Sequence, residues 1–278
     1  MTSSILICCG SGGVGKTTSS AALAVKLAHE GMRVVVLTID PAKRLADSLN
    51  IGEVGGEPTR VPIPGAVGHC DAVMLDVTQT FVGLIQRFSP TPAQADRILS
   101  NRYFQFASTR LSGVHEYMAA EKVYELAVGD HYDVVVVDTP PSRNALDFLD
   151  APKRLSDLMD GSVVRWLSVP AASRGWRALE FGGEVVSKVI HRVVGEQTAV
   201  EIAEFFDAFR DLWSGFQERS IAVQEMLRDS KTSFVLVTSP SPTSRDEALF
   251  FLAKLQAERM PFAGFVINRV QPKPDHIP

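Results

Sequence analysis

With 278 residues, 45% hydrophobic and 22% charged, the chain is long enough for one large domain or two small ones and has the balance of an ordinary soluble globular protein. A net charge of −4 gives no global positive field, which argues against nucleic acid or anionic lipid as a partner. Three cysteines, Cys8, Cys9 and Cys70, make neither a disulfide framework nor a CxxC metal pair, and no apolar run approaches the roughly 20 residues of a bilayer span, so the chain reads as reduced, cytoplasmic and neither secreted nor integral to a membrane.

The first element is a short apolar run of strand character, Ile5 to Cys9. It feeds a glycine-rich loop in which Gly10, Gly15, Lys16 and Thr17 satisfy GxxxxGKS/T. From Thr17 to Glu30 the chain carries Ala21, Leu23, Ala24, Leu27 and Ala28 at helical spacing, and Gly31 stops the run. Strand, loop and helix in that order are the context a phosphate cradle requires. Glycines let backbone N–H groups curl round a polyphosphate without Cβ clashes, and the helix adds unpaired N–H groups and the positive end of its dipole. Lys16 supplies a point charge for β- and γ-phosphates and the Thr17 hydroxyl a ligand for Mg²⁺. The whole loop, Gly10, Ser11, Gly12, Gly13, Val14, Gly15, Lys16, Thr17 and Thr18, is therefore a candidate nucleotide site.

Arg33 to Ile39 is a continuous β-branched run, as expected for a strand covered on both faces, and it ends in Asp40. Ligands of doubly wound sheets bind at the C-terminal strand ends, which brings Asp40 near the phosphates; the alternative is a cap for a helix from Ala42 to Leu49. Residues 51–71, rich in Gly and Pro, read as a surface loop, and Ala72 to Val77 as a third strand. From Phe81 to about Val128 the pattern is helical, broken near Ser89 to Pro92. His131 to Thr139 (HYDVVVVDT) is a strand whose valines end in Asp138, the form of a Walker B strand whose carboxylate holds Mg²⁺ through water. The next segment, PPSRNALDFLDAP, is placed to sense a γ-phosphate.

Between Ala151 and Lys231 strand signals vanish. Amphipathic helical runs there carry Trp166, Trp176 and Trp213 with Phe181, Phe205, Phe206, Phe209 and Phe216, as ordinary core or as a groove for an apolar client. Strands return at Ser233 to Thr238 and Phe262 to Asn268, with a helix from Arg245 to Arg259 between them. The expected organisation is a nucleotide-binding core over 1–150, in which about 81–128 is helical and belongs partly to a subdomain, a helical insert over 151–232, and a return to the core over 233–278. The fold class is α/β: a doubly wound, mostly parallel sheet of P-loop NTPase type with a helical subdomain inserted.

In this order the pieces resemble the ArsA-like ATPases, which include arsenite-pump ATPases and the guided-entry ATPases that target tail-anchored membrane proteins, within the deviant Walker A, or MinD-like, branch of P-loop proteins. The resemblance runs from Leu6 to about Val270. GSGGVGKTT at Gly10 to Thr18 matches the family's P-loop, LTIDPAKRLADSL at Leu37 to Leu49 its switch I, VVVDTPPSRNALDFL at Val135 to Leu149 its switch II, and VINRV at Val266 to Val270 its adenine-binding strand. The resemblance implies that Asp40 orients the attacking water and is catalytic together with Lys16. It implies also that Thr17 and Asp138 serve Mg²⁺, the latter through water, and that Asn268, with Arg269 beside it, contacts the adenine. The run Asn268, Arg269, Val270, Gln271 lacks the Asp of an NKxD guanine reader, which favours ATP.

The departures from the family pattern are equally specific. Its loop begins GKGG, whose first lysine reaches the partner's nucleotide across a dimer interface, and here that position is Ser11. Lys43 replaces the histidine of DPAH, Ser142, Arg143 and Asn144 replace the TGH of switch II, and Ser241 replaces a carboxylate after Pro240. The bridging zinc CxxC and the arsenite-binding cysteines have no counterpart, so no zinc is expected and neither client is marked. Relatives continue past the position of Gln271 through a further nucleotide-contacting loop and helix, so the chain is a fragment or dispenses with them.

The expectation is thus a soluble ATPase hydrolysing Mg-ATP, as a homodimer or a heterodimer with a lysine-bearing paralogue, whose opening and closing couple to a client protein or membrane transporter of anion-transporting or protein-targeting type. Two other expectations stand beside it. One is a positioning switch of the MinD or ParA type, although the PKPDHIP terminus carries neither basic patch nor amphipathic helix. The other is a nucleotide-binding subunit with little hydrolysis of its own, which Ser11 suggests.

Overall fold

Uninterrupted β-branched runs have no polar face to turn to water, so they form strands covered on both sides. In the computed structural model, which describes residues 3–40, 44–101, 114–140 and 212–271, these runs make the middle of a seven-stranded sheet. Its strands are β1 (Ser4–Cys9), β2 (Arg33–Thr38), β3 (Thr59–Val61), β4 (His69–Met74), β5 (Val134–Asp138), β6 (Thr232–Thr238) and β7 (Phe262–Ile267). They lie side by side in the order β3, β4, β2, β5, β1, β6, β7, all parallel except β3, which is antiparallel to β4. The α/β class and the mostly parallel sheet are as expected.

The centre of the sheet is dry. Val34, Val35, Val36 and Leu37 of β2 and Val135, Val136 and Val137 of β5 have no exposed surface. Each such side chain contributes on the order of 1.5–3 kcal/mol on burial, so a charge placed here would unfold the sheet rather than tune it. Strand side chains alternate, and Val34, Val36, Val134 and Val136 share one cluster with Ala21, Ala24 and Ala28 of α1 (Lys16–His29). Those alanines recur every three or four residues, on one side of the helix, and their small size lets its backbone approach the sheet.

One expected strand is displaced. The sequence pattern places a strand at Ala72 to Val77, whereas β4 begins at His69 and Val77 already opens a helix. The polar residue that disguises this strand is Asp71, buried within it and fully partnered: it accepts from the Tyr132 hydroxyl at 2.9 Å and pairs with Arg60 Nε at 2.8 Å. Arg60 belongs to β3, a strand inside the stretch expected to be loop.

The remaining helices are α2 (Arg44–Leu49), α3 (Val77–Phe88), α4 (Pro92–Ser100), α5 (Val114–Val128), α6 (Trp213–Arg228) and α7 (Pro242–Ala257). The chain forms two compact units, one of Met1–Asp76, Met118–Leu149 and Val223–Pro278, which holds the sheet, and one of Val77–Tyr117 and Asp150–Ala222. In the second unit Phe216 is buried core, its ring 6.5 Å from Phe81, 5.7 Å from Phe88 and 6.2 Å from Tyr117. Trp166, Trp176, Phe181, Phe205, Phe206 and Phe209, and the switch II segment after Pro140, lie outside the described residues.

Strand order positions the site. From β1 the sheet grows one way through β5 and β2 and the other way through β6 and β7, so β1 stands where the winding reverses and a crevice opens at its C-terminal end. The glycine-rich loop leaves β1 at that end.

Candidate nucleotide-binding site

The loop between β1 and α1 is fastened from below. Val14 is buried with Cys8, Val235 and Val237, and Val266 of β7 packs on the same cluster. Asn268, the residue after β7, donates its backbone N–H to the Thr238 carbonyl at 2.8 Å and its Nδ2 to the Val14 carbonyl at 2.9 Å. A Cβ at Gly10 would strike the Val237 carbonyl, and one at Gly15, where φ is +94°, would strike the Asn268 amide. Glycine is therefore required at both ends of the loop, by space as well as by backbone angle.

α1 begins at Lys16 without a side-chain cap, whereas the hydroxyls of Thr91 and Ser241 cap α4 and α7 by accepting from the N–H groups of Gln94 and Ser244. The first N–H groups of α1, with its positive dipole end, are left to an anion. Lys16 is only 5% exposed, and its Nζ donates to the Ser11 carbonyl at 2.8 Å. Burial lowers its pKa from the ordinary lysine value, the carboxylate of Asp138 opposes this, and Arg44 adds to it. A buried ammonium bonded to a neutral carbonyl stands to gain strongly from a phosphate.

Asp138 ends β5 at 1% exposure. Its Oδ2 accepts from Thr17 Oγ1 at 2.8 Å and from Thr38 Oγ1 at 3.2 Å, while its Oδ1 is buried with no hydrogen-bond partner. Desolvation pushes its pKa up to about 6, against the pull of the two hydroxyls and of Lys16. A buried carboxylate with one orphaned oxygen beside a threonine hydroxyl is the donor set a hard cation takes, so these residues fit Mg²⁺.

Above them opens a cleft of about 380 Å³, within the size range of small-molecule sites. Of the residues expected to form the site, Gly13, Gly15, Lys16, Thr17, Thr18, Asp40 and Arg269 line it. Asp138 and Asn268 lie beneath it, bonded to Thr17 and to the loop backbone respectively. The cleft also includes Thr139 and, from α2, Arg44, Asp47 and Ser48, which sequence reasoning did not select. Arg44 Nη1 pairs with Asp40 Oδ2 at 3.0 Å. The signal for these three was their place inside the switch I match, where polar helix residues pass for ordinary solvent-facing ones.

A family model described as anion-transporting ATPase matches residues 3–277. The chain is 26% identical to "ATPase GET3B" of Arabidopsis thaliana over 95% of its own length and 63% of that protein's. It is 26% identical to "ATPase ARSA1" of Chlamydomonas reinhardtii, over 94% of itself and 34% of the relative, and 29% identical to a "Putative arsenical pump-driving ATPase" of Chlorobaculum tepidum, over 96% and 60%. The chain thus spans between a third and two thirds of these curated relatives.

Proposed function

The chain belongs to the anion-transporting ATPase family, and from that premise we propose that it binds Mg-ATP in the cleft above Lys16 and hydrolyses it to ADP and phosphate, using the energy to open and close a dimer. The family is one of P-loop ATPases, which supports this reading; the activity, the coupling and the partner are our proposal. The observation that carries the site is Lys16 and the uncapped start of α1 directly beside Thr17 and Asp138, which supplies an anion cradle and a cation seat within one turn of helix.

In this scheme the glycine-loop N–H groups and Lys16 hold the β- and γ-phosphates, and Thr17 with Asp138 holds Mg²⁺, Asp138 through water. When bound, Mg²⁺ neutralises charge developing on the phosphate oxygens. Asp40, two residues past the end of β2, orients the attacking water. Asn268 serves the nucleoside side, and its bond to Val14 keeps the loop in its cradle shape. A dimer, homomeric or with a lysine-bearing paralogue, handles a client protein or membrane transporter in the cytoplasm. Among the described residues no helix is long and apolar enough to cross a membrane.

Ser11 favours a second version, in which the chain alone binds nucleotide and turns it over slowly. The test of the site is Lys16→Ala followed by calorimetric titration with Mg-ADP. Binding is expected to fall to near nothing while the circular dichroism stays that of wild type; unchanged affinity would remove the nucleotide from this cleft.

A further inference from the structure

Thr38 is the last residue of β2, and the register of the sheet sets it directly beside Asp138 at the end of β5. Its side chain is 2% exposed and is not among those that line the cleft, so it acts on a ligand only through other residues. Within a β-branched run it reads as strand filling, yet a buried hydroxyl must find partners.

Those partners are the two acidic residues of the site. Thr38 Oγ1 donates to Asp138 Oδ2 at 3.2 Å and accepts from the Asp40 backbone N–H at 3.3 Å. The Asp40 carbonyl, 3.4 Å away, is a second acceptor for the same proton, but the carboxylate is nearer and charged, so the proton goes to Asp138. One hydroxyl therefore ties the residue that seats the cation to the residue that orients water.

Each tie fixes something the site needs. Thr17 and Thr38 both donate to Asp138 Oδ2, which sets the plane of the carboxylate and leaves the buried Oδ1 for a cation. Thr17 belongs to the cation seat itself, so Thr38 is the donor that remains on Asp138 when a metal claims the Thr17 hydroxyl. On the other side, the Ile39 N–H still bonds the Asp138 carbonyl at 3.1 Å, whereas the next N–H, that of Asp40, turns back to Thr38. The hydroxyl thus holds the backbone of Asp40 where the strand pairing ends.

We propose that Thr38 is a positioning residue for both halves of the reaction: its hydroxyl keeps Asp138 set for Mg²⁺ and Asp40 set for the attacking water. The proposal rests on the nucleotide reading above and adds to it a residue that touches neither nucleotide nor metal.

The test removes the hydroxyl twice, as Thr38→Val and as Thr38→Ala, so that a poor fit of one side chain leaves the other to be read, and keeps it in Thr38→Ser. Calorimetric titration with ADP over a range of Mg²⁺ concentrations reads the cation seat without turnover. Both hydroxyl-free variants are expected to need about 10- to 100-fold more Mg²⁺ for the same ADP affinity, the usual cost of losing a partner of a metal ligand. Their kcat at saturating Mg²⁺ and ATP is expected to stay about 10-fold or more below wild type. That loss is expected to vanish in an Asp40→Asn background, where the water is no longer oriented. Thr38→Ser is expected to match wild type in both measurements. Wild-type Mg²⁺ dependence in Thr38→Val and Thr38→Ala would overturn the tie to Asp138, and full recovery of kcat at high Mg²⁺ the tie to Asp40. A loss in Thr38→Ser equal to that in Thr38→Ala would make side-chain size the cause and overturn both. Wild type that binds no ADP at any Mg²⁺ concentration would overturn the nucleotide reading and this role with it.

Discussion

Thr17 Oγ1 donates to Asp138 Oδ2 across 2.8 Å, joining the first turn of α1 to the end of β5. The bond places a hydroxyl and a carboxylate at one point under the cradle, and it leaves Asp138 Oδ1 buried without a partner. If that oxygen serves the cation, Asp138→Asn makes ADP binding indifferent to Mg²⁺, whereas in wild type chelation of the metal weakens it. The comparison is ADP affinity with Mg²⁺ and with EDTA in each protein. Full Mg²⁺ dependence in the variant would put the metal elsewhere.

Asp40 tests the catalytic half of the site. Its pair with Arg44 joins a 17% exposed carboxylate to a 62% exposed guanidinium, and pairs so open to solvent are worth about 0–1 kcal/mol, so the pair is a minor element of stability. Asp40→Asn is expected to leave nucleotide affinity near wild type and to lower kcat by about 10²- to 10⁴-fold, the usual range for a group that positions or deprotonates a nucleophile. Arg44→Ala is expected to leave stability nearly unchanged in urea unfolding. Loss of binding together with turnover in Asp40→Asn would assign Asp40 to the metal or to the frame.

Much of this arrangement is legible without coordinates, and the reason lies in particular residues. β2 and β5 are valine-rich runs, β5 ending in Asp138 and β2 followed two residues on by Asp40, so burial fixes the strands and the C-terminal rule places both carboxylates at one crevice. β4 is misplaced because Asp71 inside it looks like a loop residue until Tyr132 and Arg60 are seen to satisfy it, and those partners come from distant segments. β3 has three residues and exists through its pairing with β4, a non-local contact with no periodicity of its own. Arg44, Asp47 and Ser48 were hidden for the opposite reason: their helix is short and polar, and only its packing through Leu45 and Leu49 turns the other face to the cleft.

The far end of the sheet carries a pH-sensitive ion pair. Arg33 Nη2 lies 2.7 Å from Asp133 Oδ1, and Asp133 Oδ2 also accepts from the Arg33 backbone N–H at 2.8 Å. The Arg33 guanidinium, with that N–H, holds the Asp133 carboxyl down to about 2, below the roughly 3.9 of an unfolded aspartate. A depressed folded pKa gives stability that is present above the unfolded value and is lost as pH falls toward the folded one. Asp133→Asn is therefore expected to be less stable than wild type at pH 5 to 7, with the gap closing between pH 4 and 2. Urea unfolding across that range reads it, and a gap independent of pH would make the bond's charge irrelevant.

The Ser11 carbonyl accepts from Lys16 Nζ, and the Ser11 Oγ is buried without a hydrogen-bond partner. The bond to Lys16 uses the backbone, so it survives a change of side chain, and removal of an unpartnered hydroxyl costs little. In the family pattern a lysine at this position acts on the partner's nucleotide, so a homodimer of this chain has two cradles and neither lysine. A cation at a developing phosphoryl charge is worth about 10³ to 10⁵ in rate for arginine fingers, and a serine hydroxyl supplies no such charge. The isolated protein is expected to bind Mg-ATP and hydrolyse it slowly. Ser11→Lys is expected to raise kcat at nearly unchanged Mg-ADP affinity, and mixing wild type with a relative that carries the GKGG loop is expected to do the same without mutation. In the mixed dimer the fully equipped site is the one on this chain's Lys16, Thr17, Asp40 and Asp138, so a Lys16→Ala substitution in this chain alone removes the gain. Rapid hydrolysis by the pure wild-type chain, with no gain from either manipulation, would mean that a cation of the chain itself, such as Arg44 in the cleft, fills the role.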